Sequence, residues 1–348
     1  MSYSILKVNL EESKGDIINF WKRNFPAWPE KKFTWFYKNN PCGRAACWVI
    51  KDTKTDAVAG STAIFPRKVF VKGECLSGGI TGDFGVDRKY RILGPALQLQ
   101  KAGISESNRN HFDFLYGYPN GKSEPVQRRA GFKVIGSTYR MVKILRSQDY
   151  LERYTTLPFV PKLLSKPVDL AMRLLSKESY YRRREDFRFE VLSNFDKRFD
   201  DLWQKASSHY SIIGERTSEF LNWRFTQCPY KTYSIFALTR KEINEIHGYI
   251  VYYVVRNNVY IADLLVVDMN NYIDALVSEF LLLQRKEKHC SVSFLYFGNQ
   301  DFVNTLKKYM FDVRDSNRKI VAHIDANSPF SSYILDENNW YLTEADND

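Results

Sequence analysis

The two halves of the sequence carry the same ordered set of landmarks. Residues 83–86 (DFGV) correspond to residues 263–266 (DLLV). Residues 114–116 (FLY) begin 31 residues after the start of the first segment, and residues 294–296 (FLY) begin 31 residues after the start of the second. Chance seldom reproduces order and spacing together, so the series indicates a tandem duplication. The fold must therefore contain one arrangement of elements twice.

The starts of the two units match as well. Trp35 precedes Pro41 by 6 residues, and Trp223 precedes Pro229 by 6. A chain of 348 residues exceeds the usual size of a single domain. We therefore predict an N-terminal domain, a basic linker that contains a helix, and a C-terminal domain, over residues 1–147, 148–187 and 188–348.

Each half alternates strand-like and helix-like segments, judged by β-branched and aromatic content and by apolar spacing. The predicted strands are residues 46–50, 57–65, 68–71 and 80–86 in the first unit, and 232–238, 248–255, 259–267 and 291–297 in the second. The predicted helices are residues 95–107, 123–129 and 271–287. This alternation favours an α/β fold, more fully an α+β mixed sheet flanked by helices.

Residues 83–96 form a strand-like run that breaks into a basic turn and opens a helix. The first N–H groups of a helix lack intrahelical partners and carry the positive end of its dipole, so they attract anions. Gly94 leaves room for close approach, and Pro95 suits a first helical turn. Three cations precede the helix: Arg88, Lys89 and Arg91. The turn is a candidate phosphate site, although an ordinary strand, turn and helix has the same local pattern.

The spacing in this turn resembles the pyrophosphate loop of the GNAT N-acyltransferases. The family pattern is Gln or Arg, two residues, Gly, one residue, then Gly or Ala, and Arg91, Gly94 and Ala96 match it. Segments that resemble the fifth strand of that fold, the helix after it and the closing strand are residues 112–120, 123–130 and 131–136. The resemblance covers about residues 29–145. Pro95, between the two small residues, departs from the pattern.

The resemblance implies that the chain binds acetyl-CoA or another acyl-CoA as a co-substrate, without a metal. In that family, backbone N–H groups of the strand before the loop hold the pantetheine and polarise the thioester carbonyl. The residues implied to bind the coenzyme are Phe84, Gly85, Val86, Arg88, Lys89, Tyr90, Arg91, Ile92, Leu93, Gly94, Pro95, Ala96 and Asn120.

Acyl transfer to an amine needs a base for the amine and an acid for the departing thiolate. Asp83 is the candidate base because it ends the strand before the loop, where burial would have to raise its pKa. Tyr116 and Tyr118 project to one face of their strand, so either phenol is a candidate acid. The alternatives are a structural carboxylate and packed tyrosines, and Asp263 at the equivalent repeat position favours a structural role for both aspartates.

The second unit departs from the first where the loop would lie. Residues 268–274 (DMNNYID) contain neither glycine nor arginine and carry two carboxylates, which would repel phosphate. We therefore expect this unit to bind no coenzyme and to form one wall of the acceptor cleft. The polar residues selected for that wall are Arg224, Asp263 and Asn299, each with surface or interdomain pairing as its structural alternative.

Composition limits the class of protein. The net charge of +11 favours an anionic partner, such as coenzyme phosphates, a nucleotide sugar, nucleic acid or a membrane surface. Five scattered cysteines without a CxxC pair indicate free thiols in a reducing compartment, and 5 dispersed histidines do not suggest a metal site. The first residues lack an apolar leader, and no apolar stretch of about 18 residues occurs. We predict a cytoplasmic protein without a metal.

Residues 158–184 combine prolines, an apolar helical segment and a basic run. One interpretation is a helix packed across the two domains with its charges in water. The other is peripheral contact with an anionic membrane. The cations available for such a contact are Lys162, Lys166, Arg173, Lys177, Arg182, Arg183 and Arg184.

These patterns favour an acyl-CoA-dependent N-acyltransferase, in the first instance an N-acetyltransferase, with a small-molecule or glycan-linked amine as acceptor. Resemblance alone links tandem proteins of this kind to amino sugars of surface polysaccharides. A second hypothesis is an aminoacyltransferase similar to the Fem-type peptidoglycan enzymes, which use aminoacyl-tRNA; the intact loop at residues 91–96 argues against it. A third is a non-catalytic basic module for nucleic acid or an anionic polymer, but no nucleic-acid motif accompanies the charge.

Overall fold

The computed structural model describes residues 3–25, 30–91, 93–109, 112–152 and 160–348. Within them lie the strands β1 Tyr3–Lys7, β2 Ala46–Asp52, β3 Val58–Val71, β4 Glu74–Val86, β5 Phe114–Gly117, β6 Lys133–Ile144, β7 Phe187–Leu192, β8 Ile212–Gly214, β9 Ser234–Arg240, β10 Glu245–Val255, β11 Asn258–Val266, β12 Ser291–Gly298, β13 Asp312–Ile324 and β14 Trp340–Leu342. The α-helices are α1 Lys14–Asn24, α2 Glu30–Lys32, α3 Leu93–Arg109, α4 Glu124–Ala130, α5 Gln148–Leu151, α6 Val160–Leu175, α7 Lys197–Ala206, α8 Ser218–Leu221, α9 Met269–Lys286, α10 Gln300–Lys307 and α11 Ser331–Ile334.

The described strands form one mixed sheet in the order β1-β2-β3-β4-β5-β13-β6-β12-β11-β10-β9-β7. The series β2-β3-β4-α3-β5-α4-β6 in the first half recurs as β9-β10-β11-α9-β12-α10-β13 in the second. In each series the third strand pairs in parallel with the fourth, across the intervening helix. The predicted mixed sheet with flanking helices is confirmed, and the order of its elements in the first half recurs in the second.

One strand is longer than the sequence predicts. Residues 57–65 and 68–71 are predicted as separate strands, but β3 continues through Pro66, which lies between them. On that edge, β3 pairs with β2 as far as Ile64 and with β8 only from Val69 onward. Pro66 therefore lies where no neighbouring strand requires its missing N–H, which is where a strand tolerates proline.

The two halves exchange their last strands. Residues 131–136 are predicted to begin the closing strand of the first unit, and a strand does form there as β6. However, β6 pairs antiparallel with β12 of the second half, while β13 of the second half pairs with β5 of the first. β6 and β13 also pair with each other at the centre of the sheet. Each half therefore needs a strand from the other to continue its sheet.

A reciprocal pair of tryptophans joins the two repeats on one side of this sheet. Trp35 Nε1 donates to the Trp223 carbonyl oxygen at 2.8 Å, and Trp223 Nε1 donates to the Trp35 carbonyl oxygen at 3.0 Å. Both residues lie in π-helical turns, Phe33–Lys38 and Asn222–Thr226. The landmarks that revealed the repeat in the sequence thus contact each other in an approximately symmetric way.

The C-terminal segment is fixed to both halves by a buried ionic cluster. The Asp346 carboxylate accepts from Arg216 Nη1 and Nη2 at 2.9 and 2.5 Å and from Arg67 of β3 at 3.2 Å. Arg216 Nε also donates to Asp263 of β11 at 2.8 Å, and Thr343 Oγ1 donates to the same carboxylate at 2.7 Å. Burial would raise the pKa of Asp346, but the Arg216 guanidinium outweighs it and holds that pKa below its usual value.

Replacing Asp346 by Ala should destabilise the protein by about 3–5 kcal/mol, because Arg216 would keep a buried charge after losing a partner. Asp312→Ala is the matched control: its ion pair with Arg314 is largely exposed, and its loss should cost about 1 kcal/mol or less. Urea unfolding of both variants measures the difference. Equal losses would show that the cluster does not hold the C-terminal segment in place.

Candidate functional site

The edge of β4 that faces β5 is open over its last residues. β4 pairs with β5 only from Gly78 to Thr81, opposite Phe114 to Gly117. Beyond that point the two strands separate, and residues 82–86 pair only with β3. No described strand continues the ladder along this edge of β4, which leaves room beside it for an extended ligand.

A β-bulge directs this edge outward. Gly85 lies opposite Ser61 and Gly82 opposite Ala63, so two β4 residues face the single residue Thr62. Asp83, in the bulge, has φ +48°, in the left-handed region, and its carbonyl oxygen accepts from Ser61 Oγ at 3.1 Å. Bulges of this kind bend a strand and occur often beside active sites.

A cavity of about 460 Å³ lies at the open edge. Its wall combines the end of α1, the end of β4, the start of α3 and the turn before α4. The lining residues are Asn24, Phe25, Phe84, Gly85, Val86, Arg91, Ala96, Asn120, Lys122, Ser123 and Val126. Six of these, Phe84, Gly85, Val86, Arg91, Ala96 and Asn120, were selected from the sequence.

The basic turn presents Arg91 and the start of a helix to this cavity. Arg91 Nε donates to the Val86 carbonyl oxygen at 3.0 Å, which fixes the guanidinium beside the end of β4. Helix α3 begins at Leu93, so its first N–H groups lie next to Ala96 in the cavity wall. Gly94 is surrounded by open space: an added Cβ would meet nothing closer than 3.9 Å. Ile92 lies outside the described residues.

Other selected side chains of the turn face elsewhere. Lys89 Nζ and the Tyr90 hydroxyl both donate to one Asp52 oxygen on β2, at 2.9 and 2.5 Å. Tyr90 is buried there, and the bond from Tyr90 is the main reason why the pKa of Asp52 is low. Arg88 is exposed outside the cavity wall, and Pro95 is buried in the first turn of α3. Arg91 is therefore the one cation of the turn that lines the cavity.

The cavity also contains residues that the sequence does not mark. Lys122 and Ser123 belong to the turn before α4, where the Asn120 side-chain oxygen accepts from both of their N–H groups at 3.0 Å. A second strand-turn-helix junction beside the first is a signal that could have identified them. Phe25 directly follows α1, and its ring packs closely on Gly85. A Cβ built on Gly85 would lie only 2.4 Å from the Phe25 ring. No local pattern predicts that contact.

Asp83 lies beside the cavity in a second buried ionic cluster. Its carboxylate accepts from Lys32 Nζ at 2.9 Å and from the Tyr37 hydroxyl at 2.8 Å. Lys32 also lies 3.5 Å from the Asp348 carboxylate. Burial raises the pKa of Asp83 above its ordinary value, although Lys32 opposes the shift. Asp83 is therefore buried and has a raised pKa, which are the two conditions that a base at this position needs.

A larger cleft of about 610 Å³ lies on the other side of Lys32. Its wall is rich in cations and aromatic rings and comes from both halves of the chain. The lining residues include Lys32, Trp35, Phe36, Arg140, Arg224, Tyr230, Lys231, Tyr233, Tyr253, Tyr260, Arg318, Glu344 and Asp348. Lys32 lines the cleft, whereas its buried partner Asp83 lines neither the cleft nor the cavity at the β4 edge.

The three residues selected for the acceptor wall lie in three different places. Arg224 lines the cleft, but its guanidinium donates to the Glu344 and Asn347 carbonyl oxygens at 2.6 and 3.2 Å. Asp263 is fully buried in the cluster with Arg216 and reaches no cavity. Asn299 caps α10 through a bond from the Asp301 N–H at 2.6 Å and lines a separate cavity. The structure does not bring the three together.

Tyr116 and Tyr118 do share one face, with ring centroids 6.5 Å apart. Tyr116 is fully buried, and its hydroxyl donates to the Asp346 carbonyl oxygen at 3.3 Å. Burial raises the pKa of both phenols, so both remain protonated. Neither lines the cavity at the β4 edge. Their part in acid catalysis stays a prediction.

The gap equivalent to the β4 edge is filled in the second half. β11 pairs with β12 only as far as Ile261, so the two strands separate as β4 and β5 do. β14 enters this gap and pairs with the end of β12, and the Tyr341 hydroxyl donates to the Leu264 carbonyl oxygen at 2.6 Å. The chain's own C-terminal segment thus occupies the position that is open in the first half.

The described residues contain no group of three or more His, Cys, Asp or Glu side chains arranged to hold a metal ion. The five cysteines are distributed between core and surface, and none of them forms a disulfide bond.

The chain shares its fold, including the repeated unit and the separated strands, with solved GCN5-related N-acetyltransferases. A protein from Enterococcus faecalis V583 described as a probable N-acyltransferase is 13% identical, with a TM-score of 0.68 over 93% of this chain and 73% of that one. A GCN5-related N-acetyltransferase from Anabaena variabilis is 14% identical, with a TM-score of 0.64 over 93% and 73%.

The yeast N-myristoyltransferase from Saccharomyces cerevisiae, solved with bound myristoyl-CoA, has a similar fold as well. It is 12% identical, with a TM-score of 0.55 over 92% of this chain and 78% of that one. Neither a family profile nor a curated protein matches the sequence. Sequence identities of 12–14% establish that the fold is shared, but they do not establish an activity.

Replacing Lys32 by Met should leave Asp83 buried without its cation and raise its folded-state pKa further above the unfolded value of about 4. Stability is then retained below the unfolded pKa and lost as the pH rises through the folded one. The variant should approach wild-type stability near about pH 4 and lose about 3–5 kcal/mol near about pH 8. Urea unfolding at the two pH values measures this.

A second replacement tests the cause. Lys32→Met combined with Asp83→Asn should recover most of the loss at high pH, because the amide carries no charge. A loss that is the same at both pH values, or that persists in the double variant, would show that Lys32 acts through packing alone.

Proposed function

We propose that this protein is an acyl-CoA-dependent N-acyltransferase whose first half binds the coenzyme. The observation that carries the proposal is the cavity of about 460 Å³ between an unpaired strand edge, the start of α3 and Arg91. An extended amide chain can pair with such an edge, and a pyrophosphate suits a helix start beside a guanidinium. Pantetheine and pyrophosphate have that order in coenzyme A.

Different residues of the cavity would bind different parts of the coenzyme. Residues 84–86 would pair with the pantetheine and donate to the thioester oxygen, whose negative charge grows as the amine attacks. Arg91 and the first N–H groups of α3 would hold the pyrophosphate, with Lys122 on the opposite wall adding positive charge. Phe25, packed on Gly85, would cover the pantetheine and keep water away from the thioester.

The acceptor amine would approach from the larger cleft. Asp83 accepts from Lys32, which lines the cleft, and precedes Phe84, which lines the cavity, and its raised pKa suits a base that must take a proton near neutral pH. The N–H proton would pass to Asp83 directly or through water as the nitrogen attacks the carbonyl carbon. The C–S bond then breaks, and the thiolate is neutralised by the proton that Asp83 has taken from the amine or by a proton from solvent.

The walls of the cleft suggest an amino sugar as the acceptor. Tyr230 and Tyr260 line the cleft with aromatic rings of the kind on which sugars stack, whereas the Tyr253 ring is already stacked on Tyr260 and lies under Lys231. Arg140 and Arg318 lie in the same wall and suit an anionic carrier such as a nucleotide diphosphate. The acceptor we propose is therefore an amino sugar, free or linked to a phosphate-bearing carrier, as in a precursor of a surface polysaccharide. A cytoplasmic location would fit such a precursor.

Arg91→Ala should weaken acetyl-CoA binding about tenfold or more, because a hydrogen bond between charged groups contributes about 1.5–3 kcal/mol. Arg88→Ala is the control, since Arg88 belongs to the same turn but does not line the cavity, and its affinity should change little. Isothermal titration calorimetry measures both. Equal losses would point to general electrostatic attraction, and the absence of binding by the wild-type protein would remove the donor assignment.

Asp83→Asn should lower kcat by about 100-fold or more while acetyl-CoA affinity stays near the wild-type value, as expected for loss of a general base. Release of the coenzyme A thiol is measured with free and nucleotide-linked amino sugars, beside a simple alkylamine. The exposed Asp56→Asn is the control and should leave kcat unchanged. An unaffected kcat would exclude Asp83 as the base, and transfer to the alkylamine alone would contradict the proposed acceptor.

A further inference from the structure

Helix α6 exposes its apolar side to solvent. Five leucines and a valine along the helix are exposed: Leu163, Leu164, Val168, Leu170, Leu174 and Leu175. Leu163 is 77% exposed and Leu175 70%. At 100° per residue these positions fall on one side of the helix, together with Pro167 and Ala171. A contiguous apolar stripe of this size on a surface marks an interaction site.

The helix contacts the rest of the protein through its polar side. Ser165 is buried, and its carbonyl oxygen accepts from Ser147 Oγ at 3.4 Å. One turn later, the Asp169 carboxylate accepts from the Ser147 N–H at 2.6 Å. A surface helix normally does the reverse, burying leucines and exposing such groups. The described part of α6 therefore contacts the rest of the protein through polar groups and leaves its apolar residues exposed.

Buried polar contacts hold the helix in this orientation at its C-terminal end. Glu178, just after α6, pairs with Lys143 of β6 and with Arg285 of α9, each at 3.1 Å. Glu178 and Lys143 are both buried. Turning the leucines inward would break these pairs and the Ser147 contacts, which is costly for buried charges. The apolar stripe is thus a fixed feature of the surface.

Cations border the stripe. Lys166 and Arg173 are exposed and lie along one of its margins, and Arg182 is exposed shortly after the helix. Tyr180, 71% exposed, donates to the Leu174 carbonyl oxygen at 2.6 Å and so stands at the end of the stripe. The sole carboxylate of α6, Asp169, is engaged with Ser147. Cations flanking an apolar stripe, with an aromatic ring at its end, match the interface of an anionic bilayer.

We propose that α6 is a peripheral membrane anchor, lying in the plane of an anionic lipid surface with its leucines among the acyl chains and Lys166 and Arg173 at the headgroups. None of the described helices is long and apolar enough to span a bilayer, so the contact would be interfacial. A second copy of the chain is a weaker match, because an opposing α6 would bring no free carboxylate to these cations. Anionic headgroups supply that charge along the whole stripe.

The test is co-sedimentation of the full chain with vesicles of phosphatidylcholine alone and of phosphatidylcholine mixed with phosphatidylglycerol. The wild-type protein should bind the anionic vesicles at low salt and be released at high salt. Leu170→Gln with Leu174→Gln should weaken binding about 100-fold or more, since two leucine side chains no longer enter the acyl chains. Lys166→Gln with Arg173→Gln should weaken it about fivefold for each cation.

Ile243→Gln with Val255→Gln is the matched control, because it replaces two aliphatic residues that are exposed elsewhere, and it should bind vesicles as the wild type does. All these positions are on the surface, so thermal unfolding and acetyl-CoA affinity should not change. Equal sedimentation with neutral and anionic vesicles, or none with either, would overturn the proposal. So would a concentration-dependent dimer that dissociates in the leucine variant while vesicle binding is absent.

Discussion

The pairing of β6 with β13 at the centre of the sheet is the constraint on which the rest of the structure depends. Each of these strands ends one repeat and completes the sheet of the other, so the two halves cannot separate without leaving unpaired backbone on both. The exchange brings the repeats together side by side, with Trp35 and Trp223 in reciprocal contact. It also places residues of both halves around one cleft beside Lys32.

The C-terminal segment breaks the symmetry between the two repeats, because it fills the gap in the second repeat only. Both repeats separate their third and fourth strands, which creates two equivalent gaps. β14 fills the second gap, and the residues after it join the ionic cluster of Arg216. The first gap stays open and has Arg91 beside it. The acidic turn after β11 would repel phosphate, and β14 occupies the space between the strands. Both features would disfavour coenzyme binding in the second half.

Asp83 and Asp263 occupy equivalent positions in the two repeats but have different surroundings. Asp263 pairs with an arginine, a threonine and a tyrosine and is closed off completely. Asp83 pairs with a lysine that lines the cleft and with a tyrosine, and it directly precedes Phe84 in the wall of the cavity. Equivalence in the repeat suggested a structural role for both. The partners differ because they come from other elements, α2 in one case and the segment after β8 in the other.

The sequence by itself determined the repeat, the alternation of strands and helices, and the strand-turn-helix at residues 83–96. These features depend on local periodicity, on helix-start chemistry and on spacing, all of which are visible along the chain. Only the tertiary structure decided which strands exchange, that Lys89 and Tyr90 turn to Asp52, that Phe25 covers Gly85 and that the leucines of α6 face outward. Those outcomes depend on contacts between residues that are far apart in sequence. A periodic pattern along the chain shows that one face of an element is apolar, but it does not show which other element, if any, packs on that face.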